Sequence, residues 1–130
     1  MTHFSVSRRI LVPCALAGAV LSTACEDKRV KAIDTGIARD SAISIISHDL
    51  PANATHDSLP NVYIRETYLM GGKNYEVLFF SPKNEKAQAG KDTAWGKLTP
   101  IVLVNNKTVG TGWKVWDSIS TANKIPLKKR

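Results

Sequence analysis

The sequence predicts an α+β domain in which an N-terminal helix packs on a four-stranded antiparallel meander. Apolar residues recur at helical spacing between Arg39 and Ser47. Beyond Asn61 the period shifts to runs of β-branched and aromatic residues, punctuated by Gly71-Gly72 and Asn105-Asn106. The 130 residues, 43% of them hydrophobic, suffice for one small core and leave no room for a second. Two cysteines cannot make a disulfide framework.

The first element is a leader, residues 1–24. Arg8 and Arg9 form a positive start, Ile10 to Val20 is uncharged and apolar, and Leu21-Ser22-Thr23-Ala24-Cys25 closes it. A stretch this short with these flanks reads as a signal peptide and not as a membrane span. The closing residues resemble the lipobox of bacterial lipoproteins, in which the cysteine is acylated and becomes the mature N-terminus. Leu21 stands one place early, with Ser22 in its usual slot. Cys25 is therefore the expected lipidation site, carrying palmitate or a similar chain. Each buried acyl methylene contributes roughly 0.8 kcal/mol to the anchor. The plainer alternative is a secretory cut near Ala24, with Cys25 an incidental thiol. Cys14 lies inside the leader and leaves with it.

Residues 25–32 are expected to be the lipidated Cys and a charged tether, since Glu26, Asp27, Lys28, Arg29 and Lys31 present no apolar face. The domain is expected over 33–117. Ala42, Ile43, Ile45 and Ile46 stripe a helix, Asp40 suits its positive end, and Pro51 lies beyond its stop. Asp49 to Asn61 reads as a loop. Val62 to Met70 and Tyr75 to Phe80 form a hairpin around Gly71-Gly72, with Tyr75, Val77 and Phe79 on one face. Pro82 to Lys97 is a long connection with four lysines. Ile101 to Val104 is a buried strand, and Thr108 to Trp116 returns as a fourth, with Val109, Thr111, Trp113 and Val115 on one face. Residues 118–130 form a basic tail.

Several segments together resemble small bacterial outer-membrane lipoproteins of the SmpA/OmlA (BamE-like) superfamily. They are Ile33-Asp34-Thr35-Gly36-Ile37-Ala38-Arg39-Asp40-Ser41-Ala42 with Ile45-Ile46, the strand Tyr75 to Phe80, and Leu98 to Val104 followed by Gly110-Thr111-Gly112-Trp113. Ile37 replaces the usual Met, Ala38 the capping Ser/Thr, Ala42 the Val and Ser47 the closing Gly. The resemblance implies a two-layer sandwich that binds another envelope protein without catalysis. It also favours the periplasmic face of the outer membrane, because Glu26 follows the cysteine where Asp would suggest inner-membrane retention.

Other chemistry is weakly represented. The formal net charge is +7; without Arg8 and Arg9, 16 bases and 11 acids leave +5. For a protein sent outside the cytoplasm no nucleic-acid partner is expected. His48-Asp49 and His56-Asp57 offer metal-ligand types, but on a loop without a frame, so a polar turn is the expectation and no metal or other cofactor is implied. No Gly-x-Ser-x-Gly elbow occurs, and Gly110-Thr111-Gly112 lacks the third glycine of a dinucleotide fingerprint. The chain is expected to be no enzyme and to take no small-molecule substrate. Its expected role is an accessory or scaffolding subunit that binds an envelope membrane protein or complex. The alternative is a module for lipid, lipopolysaccharide or peptidoglycan using the basic loop and tail. The candidate partner-binding residues are Lys91 and Trp95 on the long loop, and Trp116, expected at an edge or exposed. Trp113 is expected in the core.

Overall fold

The computed structural model describes residues 27–48 and 59–130. The expected leader (1–24), the expected lipidation site Cys25 and most of the His/Asp loop lie outside the described residues.

Helix α1 spans Lys28–Lys31 and α2 spans Arg39–Ile46. Strands β1 (Val62–Met70), β2 (Lys73–Phe80), β3 (Thr99–Val104) and β4 (Lys107–Thr111) follow, and α3 (Trp113–Ala122) closes the fold. The strands form one antiparallel sheet in the order β1-β2-β3-β4. The expected α+β class and four-stranded meander are both present.

Strand alternation sorts the core into two clusters. On one face Leu78, Phe80, Ile101 and Leu103 meet Val62 and, from the N-terminal segment, Val30, Ile33 and Ile46. On the other, Val77, Phe79 and Val102 meet Leu98 and Trp116. The apolar run of β3 therefore reflects burial from both sides, as its composition predicts.

The expected two layers need correction, because α3 covers the second face. The fourth strand ends at Thr111, not Trp116. Gly112 adopts φ 94°, a conformation that side chains rarely allow, and turns the chain out of the sheet into α3. Its N–H is held by the Pro100 carbonyl at 2.8 Å. Gly110 makes room for the helix, since a Cβ there would lie 2.9 Å from Val115 Cγ1.

The charged tether is also corrected. Residues 28–31 are helical, with the Asp27 carboxylate accepting the Arg29 N–H at 2.9 Å. Val30, the one apolar side chain of that stretch, is 1% exposed and belongs to the core. Residues 28–31 are thus folded against the core ahead of Ile33. At the other end, 118–122 belong to α3, and the remaining tail folds back. Lys128 pairs with Glu66 at 2.7 Å, and Arg130 pairs with Asp117 through two bonds of 2.7 and 2.9 Å.

Ala38 caps α2 without a side-chain bond, as its methyl dictates. The turn after β3 compensates, with the Asn106 carbonyl accepting the Arg39 N–H at 2.9 Å. The same stretch covers the β4 edge: Gly36 N–H donates to Thr108 O at 2.7 Å and Thr108 N–H to Ile37 O at 3.0 Å.

Candidate functional site

The long connection from Pro82 to Lys97 is fastened to the start of β1. Lys86 Nζ donates to the carbonyls of Leu59 and Val62 at 2.7 and 2.8 Å, and Ala87 N–H donates to Tyr63 O at 3.0 Å. Between loop and strand lies a hollow of about 470 Å³ lined by Tyr63, Lys91, Thr93, Lys97 and Leu98 among others. Lys91 is exposed at its rim. Glu85 and Asp92 line it as well, so its charge is mixed. The hollow offers hydrogen-bonding groups and an aromatic ring to a polar surface, the composition of an interface rim.

Trp95 lies on a single 3₁₀ turn, Trp95–Lys97, at the loop's end. It does not project as a free tip. Its ring packs edge-on against Phe79 with centres 4.9 Å apart, and lies 6.4 Å from Trp113. The ammonium of Lys128 stands 4.3 Å above it. Trp113 donates its Nε1–H to the Leu98 carbonyl at 2.9 Å, and the Arg130 guanidinium lies 4.5 Å over its ring. The tail thus closes the aromatic cluster.

Trp116 requires the firmest correction. It is 1% exposed, packed within the second core cluster and 5.6 Å from the Tyr68 ring. A strand would have put Trp113 and Trp116 on opposite faces; helical spacing puts both toward the sheet. Trp113 is the half-buried member of the pair. Lys91 and Trp95 therefore share a loop but not a role, and Trp116 is unavailable to a partner.

Sequence reasoning missed an ion-pair cluster at the α2 end. Glu76 is buried in mid-β2. Its Oε1 accepts from Arg39 Nε at 2.6 Å and its Oε2 from Arg65 Nε. Burial works to raise its pKa, but the bonds from the two guanidiniums outweigh it and hold the carboxyl below its ordinary value. The pairs clamp the first residue of α2 across β2 to β1, beside an open hollow lined by Ala38, Arg39, Asp40, Arg65 and Asn106. The signal was available: an acid at an inward position of an apolar strand demands a cation. On the opposite face, Tyr68 donates its hydroxyl to Glu66 at 2.7 Å, and burial with that bond raises the phenol's pKa well above its usual value.

Among the described residues no group of three or more His, Cys, Asp and Glu is placed to hold a metal. His48 is exposed, while Asp49, His56 and Asp57 lie outside them. No helix among them is long and apolar enough to cross a membrane. Comparison with protein-family models, with curated proteins and with solved structures finds no match.

Proposed function

We propose that the chain is a membrane-anchored lipoprotein of the SmpA/OmlA (BamE-like) kind. It serves as a non-catalytic accessory or scaffolding subunit at the periplasmic face of the outer membrane, where it binds another envelope protein. The observation that carries this reading is the run Leu21 to Cys25 at the end of a leader pattern. A helix with a four-stranded meander is what the resemblance implies, and α3 lies beyond that expectation.

Both sheet faces are occupied, so a partner is met by loops and hairpin tips. Leu69, 80% exposed beside Gly71-Gly72, and the rim around Lys91 are such surfaces. The competing role, binding of lipid or glycan by the basic loop and tail, is weakened. Lys86, Lys128 and Arg130 already make bonds within the chain.

Photo-crosslinking from positions 69 and 91 of the full-length protein in its own membranes tests the proposal. Capture of one envelope protein at both positions, persisting at high salt, is expected. Capture of lipid or glycan alone, released by salt, would favour the competing role.

A further inference from the structure

We infer that the envelope partner proposed above lends an extended segment to the open edge of β1 as a fifth strand, with a carboxylate facing Arg65 and an apolar side chain facing Leu69. The inference rests on the partner-binding reading and adds to it the sheet edge that lies between the two surfaces named there, and the chemistry recognised. The two edges of the sheet differ. At β4, five residues long, Gly36 and Ile37 bond to the C=O and N–H of Thr108 and close the edge. At the other end of the sheet β1 runs for nine residues without Lys or Pro, the residues that commonly guard such an edge. Its register shift, between Val62 and Ile64, falls at the covered start, where Ala87 N–H donates to Tyr63 O at 3.0 Å. Beyond Tyr63 no described residue bonds to the outer backbone of β1.

The hairpin decides which groups that edge presents. Gly71 and Gly72, at φ 57° and 74°, form a two-residue turn, so Met70 and Lys73 exchange both their backbone bonds. Bonded pairs recur at every second residue, hence Tyr68 with Tyr75, Glu66 with Val77 and Ile64 with Phe79. The N–H and C=O groups of Arg65, Thr67 and Leu69 therefore point away from β2, as the C=O of Tyr63 does. All three residues are exposed, and alternation puts their side chains on one face. Arg65 gives its Nε–H to Glu76, and its side chain, 48% exposed, lines the open hollow beside Arg39. Leu69 is 80% exposed. A guest strand thus meets a guanidinium and an apolar branch four positions apart, with main-chain bonds for affinity and these side chains for selection. On the opposite face Glu66 is already satisfied by Lys128 and Tyr68. A second copy of this chain is a poorer guest. Every outward residue of β1 is neutral or basic, so a twofold antiparallel pairing never sets an acid against Arg65.

Capture through a photo-reactive residue at position 91 of the full-length protein in its own membranes tests this, comparing wild type with Thr67→Pro and Thr67→Val. Proline at 67 removes one outward N–H and no bond between β1 and β2, whereas valine keeps that N–H. Thr67→Pro should lower capture of the partner roughly tenfold, and Thr67→Val should capture it at wild-type yield. Hydrogen exchange of the captured wild-type complex gives a second measurement, which holds whether or not the proline variant folds. The amides of Arg65, Thr67 and Leu69 should exchange at least about tenfold more slowly than in the uncaptured protein, while those of Glu66 and Tyr68, already bonded to β2, change little. Wild-type capture by a folded Thr67→Pro, or slowing that does not alternate along β1, overturns the strand addition and leaves the partner reading intact. Capture of a second copy of this chain overturns it as well. Absence of any captured protein in the wild type overturns the partner reading itself.

Discussion

Replacing Trp116 by alanine removes the largest fully buried side chain among the described residues. The indole is held between α3 and the sheet by Val77, Phe79, Leu98 and Val102, with Tyr68 tilted against it at 5.6 Å. Sheet side chains are fixed by two strand neighbours each, so the site collapses poorly when the ring is lost. Truncation of a buried aromatic then costs about 3–5 kcal/mol. Trp113→Ala loses a half-buried ring and one hydrogen bond to the Leu98 carbonyl, together about 1–3 kcal/mol. Small domains hold only about 5–15 kcal/mol in total, so Trp116→Ala should leave a marginal fold. Urea denaturation followed by far-UV circular dichroism reads both variants without relying on tryptophan emission. If Trp116→Ala unfolds at the wild-type midpoint, or later than Trp113→Ala, the indole is not packed between helix and sheet. The placement of α3 would then be wrong.

Gly110→Ala should destabilise by about 1–3 kcal/mol through the clash with Val115, and Val115→Ala should restore much of the loss in the double variant; equal midpoints for the two Gly110→Ala chains would refute the contact. Glu76→Gln should cost about 1–3 kcal/mol, since Arg39 and Arg65 remain partly open to water and resolvate. Because the folded-state pKa of Glu76 is depressed, its contribution is complete above the ordinary glutamate value of about 4.3 and is lost as pH falls through the lower folded value. Acid titration of the urea midpoint should therefore be shallower in Glu76→Gln, and identical slopes would refute it. Lys91→Glu should leave the melting temperature unchanged while reducing recovery of the partner; Trp95→Ala should lower the melting temperature, because its ring is packed on Phe79. Matching melting curves for the two would contradict the separate roles.

The strands were legible because alternation has a simple cause, a sheet residue facing one side or the other. Val77 and Phe79 against Leu78 and Phe80 follow from that alone. Helix α3 was hidden because Val109, Thr111, Trp113 and Val115 also alternate, while Trp113, Trp116 and Ser120 carry helical spacing over the same stretch. Gly112 was the arbiter, and a glycine's φ is not written in its neighbours. The short α1 was missed for a different reason: one buried valine among charges gives no periodicity, and its anchorage comes from Phe80, Pro82 and His48, distant in sequence. The same holds for the tail, whose Lys128 finds Glu66 across 62 positions. Lys91 was readable as an exposed loop charge. Trp95 was not, because its position depends on a ring cluster assembled from three separate segments.

Acylation at Cys25 is tested most directly by growing cells with radiolabelled palmitate and comparing wild type with Cys25→Ala. Label should enter the wild type, its mature chain should start at an acylated Cys25, and label should be absent from the variant. Equal labelling of the two, or a mature wild-type chain with a free thiol at Cys25, would contradict the lipoprotein reading.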